Sequence, residues 1–252
     1  MRLAICIGFA LVLGLGPLRA DPKPEPCPAP PAALIIILPG IEGVGACTRD
    51  MLAGLRRGCP EAEFEVYDWT TGKSLHFLQH LADLDRNRQV AAHLAAHIQQ
   101  RQSACPERPI ILVGHSGGAA LIALALVRLP EGCRVRQAVM LAPGLHCEYP
   151  LAPVLSRTET GIDVFYSRID TLILGLGTVI LGTVDRRHGP SAGLVGFTLP
   201  PETDADSRAW YESHLRQYPF TPRRAISGWK GGHFSSTERQ FIERQVAPLL
   251  AR

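Results

Sequence analysis

Ser116 stands inside Gly114-His115-Ser116-Gly117-Gly118, directly after the branched apolar run Pro109-Ile110-Ile111-Leu112-Val113 and directly before Ala119-Ala120-Leu121-Ile122-Ala123-Leu124. The first run reads as a buried strand and the second as a helix packed close to it, which leaves the glycines to make a sharp turn between the two. Such a turn lifts the serine hydroxyl clear of both elements. The chemistry open to it is nucleophilic attack on a carbonyl carbon, but a serine hydroxyl is a weak nucleophile at neutral pH. It needs a base within hydrogen-bond reach, a third group to orient that base, and donors for the oxyanion that forms. Four histidines follow it: His146, His188, His214 and His233. The alternative is an ordinary glycine-rich turn that happens to hold a serine, and the strand-turn-helix setting argues against it.

The elements that would position these groups alternate along the chain. Strands are predicted at residues 34–38, 64–69, 110–113, 136–141 and 162–167, with a last one near 224–227. Helices are predicted at 48–57, 86–102, 119–128 and 236–250. Alternation of this kind gives an α/β fold, a mostly parallel central sheet with helices on both faces. In such sheets ligands sit beyond the carboxyl ends of the strands, so catalytic groups should follow strands. Asp170 does, three residues past Ser167; Asp163 opens its strand and reads as a surface residue at the opposite end. His233 lies in Trp229-Lys-Gly-Gly-His233-Phe-Ser-Ser, a loop of small residues before the last helix.

The turn glycines after the first strand, Gly114-His115-Ser116-Gly117-Gly118, the strand before Asp170 and the Gly-Gly-His233-Phe loop together resemble the α/β-hydrolase superfamily, in a secreted, lipase- or esterase-like form, over residues 34–250. The resemblance makes the serine turn a nucleophile elbow built on Gly114, His115 and Gly118, and implies the chain order nucleophile, acid, histidine. On that order Ser116 attacks, His233 moves the proton and Asp170 orients His233, with Asp185 as the alternative acid and His188 as the alternative base. His214, in a Tyr/Glu/Arg-rich helical stretch, reads as solvated, and His115 as packing within the elbow. The resemblance also implies an oxyanion hole from the backbone N–H of Gly117 and that of Ile41 in Leu38-Pro39-Gly40-Ile41-Glu42-Gly43. This turn departs from the HGGG form of many lipases, having Pro39-Gly40 and no histidine. The implied activity is hydrolysis of an ester or related acyl bond through an acyl-enzyme, on a small-molecule or lipid acyl substrate and without cofactor or metal. Acyl transfer on the same residues, or a non-catalytic binding protein of the same fold, are the rival readings.

Residues 1–20 hold Arg2, an apolar run and a small residue at Ala20, the pattern of a cleaved export signal. Secretion or residence in the periplasm follows, with no stable membrane span. Residues 21–31 form a proline-rich tether, and 32–252 a single catalytic domain. A formal net charge of +3 over 252 residues, without clustered basic residues, speaks against a nucleic-acid partner. Export favours disulfides among the cysteines outside the signal. Placing each by the sheet end it should occupy pairs Cys47 with Cys147, Cys105 with Cys133, and Cys27 with Cys59. His76/His80 and His93/His97 each have the spacing of two ligands on one helical face, but no third ligand is evident and both pairs read as helix-surface residues. The apolar stretch 171–183 is too short to cross a bilayer and reads as a buried helix, with an acyl-binding wall or lid as the alternative.

Overall fold

The computed structural model describes residues 32–72, 80, 83–170 and 183–251. The expected signal and tether, the His76 half of one histidine pair and nearly all of the 171–183 stretch lie outside them. Six strands, all parallel, form one sheet in the order β2-β1-β3-β4-β5-β6. They are β1 (Leu34–Leu38), β2 (Glu63–Val66), β3 (Ile110–His115), β4 (Gln137–Leu141), β5 (Ile162–Tyr166) and β6 (Leu215–Pro219). The principal helices between them are α1 (Ala46–Gly58), α2 (Leu84–Ala104), α3 (Gly117–Leu126) and α4 (Ala205–His214).

The central strands are buried from end to end because both faces of a parallel sheet are covered. In β1, Leu34, Ile36 and Leu38 join α2 and α3 in one core, whereas Ile35 and Ile37 join α1 and the C-terminal helical segment in the other. That alternation explains why β1 is an unbroken apolar run: each face needs its own row of side chains. Among the described residues no helix is long and apolar enough to cross a membrane.

Three expectations are corrected. The last strand is not at 224–227, where Pro222–Ala225 form a helical turn, but at β6, whose Leu-Arg-Gln-Tyr-Pro carries no branched apolar run because it is a half-buried edge. The single helix predicted over 236–250 is instead Phe234–Thr237, Arg239–Phe241, a π turn at Ile242–Val246, and Ala247–Leu250. Pro248 lacks the N–H that a regular helix would donate and crowds the preceding turn, which accounts for the widening before it. None of the three expected pairings is formed, since Cys47, Cys59, Cys133 and Cys147 are free thiols; Cys105 is disulfide-bonded. Sharing a sheet end is not enough to bridge: Cys47 begins α1 on one face, whereas Cys147 bonds through its backbone to Pro190 and Thr198 on the other. The Cys59 thiol faces the Ala247 carbonyl at 3.7 Å, and that of Cys133 faces Gln102 Oε1.

Candidate active site

β3 ends at His115 and α3 begins at Gly117, so Ser116 must reverse the chain alone, and it does so at φ 53°. A non-glycine residue in that region costs on the order of 1–3 kcal/mol and persists only where neighbours fix it. Here the Ser116 N–H donates to Leu141 O at 2.9 Å, while its carbonyl accepts from Ala120 and Gly144. The glycines make the reversal possible. A Cβ on Gly114 would stand 2.7 Å from the Ala119 nitrogen, and one on Gly118 would collide with the carbonyl oxygens of Leu38 and Pro39. One on Gly117 would come 2.7 Å from Ile41 Cγ2, so the turn after β1 lies directly against the start of α3. The two expected oxyanion residues, Ile41 and Gly117, are thereby neighbours.

Ser116 Oγ is 3.0 Å from His233 Nε2, and His233 Nδ1 is 2.8 Å from Asp170 Oδ2. All three side chains are buried. The carboxylate accepts the Nδ1 proton, which leaves Nε2 with the lone pair that can take a proton from Ser116. Asp170 follows β5 through a turn in which its N–H donates to Ser167 O at 3.1 Å. His233 opens the Phe234–Thr237 turn, whose Ser236 hydroxyl donates back to the His233 carbonyl at 2.7 Å. Burial pushes the His233 pKa below its ordinary 6.5; the hydrogen bond to Asp170 opposes that shift, and the neighbouring His115 reinforces it.

His115 packs beneath this base, its ring centroid 4.8 Å from that of His233 and its Nε2 3.3 Å from the His233 carbonyl oxygen. Its Nδ1 faces Glu42 Oε1 at 3.5 Å, an ion-pair distance too long for a good hydrogen bond. Burial raises the Glu42 pKa, but the nearby His115, the backbone N–H of Glu42 itself and His233 together outweigh it and the net shift is downward.

The alternative acid is engaged elsewhere, and the alternative base, His188, is exposed. Asp185 accepts from the His146 backbone N–H at 3.1 Å, and His214 packs beside Trp210 at the end of α4. Asp163 does lie at the other end of β5, but it is fully buried rather than on the surface, where it accepts from Arg216, Tyr218 and Gln137. His80 is likewise buried, not a helix-surface residue. His97 pairs with Glu65 at 2.6 Å while His93 is exposed, and among the described residues no group of three ligand-type side chains comes together. Sequence reasoning took His80 only as a helix-surface residue and gave Trp69 and Glu42 no role, though all three touch or belong to the turn after β1. No periodicity points any of them toward that turn.

Over residues 35–239 the sequence matches the alpha/beta hydrolase family. No curated protein sequence matches the chain. Among solved structures it is similar to a cutinase-like protein from Cryptococcus sp. at 16% identity, covering 88% of this chain and 93% of that one with a TM-score of 0.44. An acetylxylan esterase matches at 13% identity, 89% and 95% coverage and a TM-score of 0.46. The catalytic core domain of an acetyl xylan esterase from Trichoderma reesei matches at 16% identity, 75% and 82% coverage and a TM-score of 0.41.

Proposed function

The chain belongs to the alpha/beta hydrolase family, and from that premise we propose that it is a serine hydrolase that cleaves an ester or related acyl bond. The observation that carries this reading is the run of contacts from Asp170 to His233 to Ser116 at 2.8 and 3.0 Å. Ser116 attacks the acyl carbon as His233 Nε2 takes its proton, and the imidazolium that results is held by Asp170. The tetrahedral oxyanion is met by the N–H groups of Gly117 and Ile41. His233 returns the proton to the departing alcohol, leaving an acyl-enzyme. Water then enters, gives its proton to His233, and releases the acid as Ser116 recovers its hydrogen.

An apolar acyl or alcohol portion fits the surroundings. Of the large apolar side chains exposed among the described residues, Ile169 (60%) and Phe234 (54%) are the chain neighbours of Asp170 and His233, and Val44 (51%) follows the oxyanion turn. Exposed apolar residues so placed favour a substrate that covers them. The test is a fluorophosphonate label with a p-nitrophenyl ester panel. Ser116→Ala should lose the label and several orders of magnitude in rate, on the order of 10⁴ to 10⁶, with its melting temperature preserved. Undiminished labelling of that variant would place the nucleophile elsewhere.

A further inference from the structure

We infer that His80 is a positioning residue for the oxyanion hole, holding the turn that presents the Ile41 N–H; the inference rests on the reading of Ile41 as an oxyanion donor. His80 is buried and both of its ring nitrogens are committed. Nε2 lies 3.0 Å from the backbone nitrogen of Thr71, which can only donate, so Nε2 accepts and carries no proton. In the neutral ring the proton therefore sits on Nδ1, 2.8 Å from the Ile41 carbonyl oxygen, and is donated to it. The Thr71 hydroxyl also reaches Nε2, at 3.0 Å. The residue is itself anchored, since Asn87, fully buried in α2, donates to the His80 carbonyl at 2.8 Å and the edge of Trp69 packs against the ring.

The consequence for the turn follows from its peptide planes. Trp69 Nε1 donates to the Pro39 carbonyl at 2.7 Å, the Gly43 N–H donates to the Gly40 carbonyl at 3.1 Å, and His80 donates to the Ile41 carbonyl. Three successive carbonyls are tied down. In a trans peptide the C=O and N–H point opposite ways, so a Gly40 carbonyl turned inward toward Gly43 directs the Ile41 N–H away from the turn. Trp69 and His80 hold the planes on either side of it. The His80 ring bonds to Thr71 and to the Ile41 carbonyl rather than to Ser116 or His233, so it acts only through the turn.

An oxyanion donor works in the transition state far more than in the ground state, so loosening it should lower kcat and leave KM nearly unchanged. The geometry distinguishes two amide replacements. In His80→Asn the side-chain amide falls near the Nδ1 position and can still donate to Ile41; in His80→Gln it falls near Nε2, serves Thr71 and leaves the Ile41 carbonyl without its donor. The measurement is kcat per active site, counted by fluorophosphonate titration, together with the inhibition constant of a trifluoromethyl ketone whose adduct carries an oxyanion. His80→Gln and His80→Leu should lose roughly 10²-fold in kcat, the scale of losing or misplacing one oxyanion donor. The ketone should weaken by the same factor as kcat/KM falls, and His80→Asn should stay within about tenfold of the parent. If His80→Leu fails to fold, the Asn and Gln pair carries the test alone. A Gln variant with parental kcat per titrated site, or with Asn and Gln equally impaired, overturns the inference while labelling of the parent at Ser116 stands. A parent that does not label at Ser116 overturns the hydrolase reading and the inference with it.

Discussion

The elbow half of the site, from β3 through Ser116 into α3, is fixed by backbone approaches that only glycine permits, whereas the half that carries Asp170 and His233 is held by side-chain hydrogen bonds. In the first, Gly114 and Gly118 pass within contact of neighbouring backbone and no side chain of any size fits. In the second, loops leave β5 and β6 and meet through the Asp170–His233 bond, with Ile169 packed over Gly231. The difference is one of kind. Close backbone packing is specified locally and tolerates nothing, because interiors transmit even one added carbon as strain. Hydrogen bonds between distant loops tolerate many sequences but depend on a few partners and on their charge state.

The largest expected effect lies in the hydrogen-bonded half. Asp170→Asn keeps the shape of the acid but removes the charge that holds the His233 tautomer, and should cost up to about 10⁴ in kcat with little loss of stability. Asp163→Asn should do the converse. It leaves Arg216, Tyr218 and Gln137 around a neutral group at the far end of β5. Arg216 is a third exposed, which puts the cost near the low end for a broken buried pair, about 3 kcal/mol. In a chain of this size that lowers the melting temperature by about 6 to 12 °C, with kcat per folded molecule unchanged. Thermal melts run beside active-site titration separate the two outcomes. A large catalytic loss in Asp163→Asn, or none in Asp170→Asn, would break the division.

In the elbow half the ranking of damage reverses, stability first and rate as its consequence. Gly118→Ala places a methyl group against the carbonyls of Leu38 and Pro39, which are backbone of the adjoining strand and turn and cannot swing aside. Overpacking of this sort costs about 1–3 kcal/mol or more, and the displaced turn should lower kcat in the surviving fraction. Gly132→Ala is the contrasting case: φ is 81° there, unlike at Gly118, and nothing lies within 4 Å of a Cβ. Its cost should be confined to backbone strain, about 1–2 kcal/mol, with kcat untouched. Chemical denaturation midpoints read beside kcat per titrated site decide the matter, and a Gly118→Ala variant with parental stability and rate would remove the packing argument.

The same contrast explains which parts of the molecule were legible in the sequence. β1, β3 and β4 are covered on both faces and therefore read as branched apolar runs, and the Gly114–Gly118 pattern states its own geometry. Asp170 and His233 were nameable only through the chain order that the family resemblance supplied, and the structure brings them together. β6 was missed because an edge strand needs no apolar run, and Asp163 because its partner Arg216 sits 53 residues away on that unrecognised strand. His80 and Trp69 act through single hydrogen bonds to carbonyls of a distant turn. Such bonds leave no periodic trace. The disulfide pairings failed for a related reason: the end of the sheet is a local inference, whereas the face on which a loop returns is set by packing across the whole domain.

The smallest expected effect is in the pH profile, and it tests whether burial or the partner carboxylate governs the base. His233 must be neutral at Nε2 to accept the Ser116 proton, and burial lowers its pKa below the ordinary 6.5 despite the opposing hydrogen bond to Asp170. The acid limb of kcat/KM should therefore fall below pH 6.5. Stability carries the same sign. In the unfolded chain this histidine takes up a proton as pH drops past about 6.5, while in the folded protein it stays neutral until a lower pH. Unfolding then binds a proton, so this histidine's contribution is complete above pH 6.5 and is lost as pH falls toward the folded value. Asp170→Asn removes the largest influence raising that pKa, so the limb of its residual activity should move further toward acid. A limb at or above pH 6.5 in the parent would mean that Asp170 and Glu42, the carboxylates acting on His233, outweigh desolvation. The hydrogen-bonded half of the site would then be governed by charge rather than by exclusion of water, and the Asn variant would drop by correspondingly more.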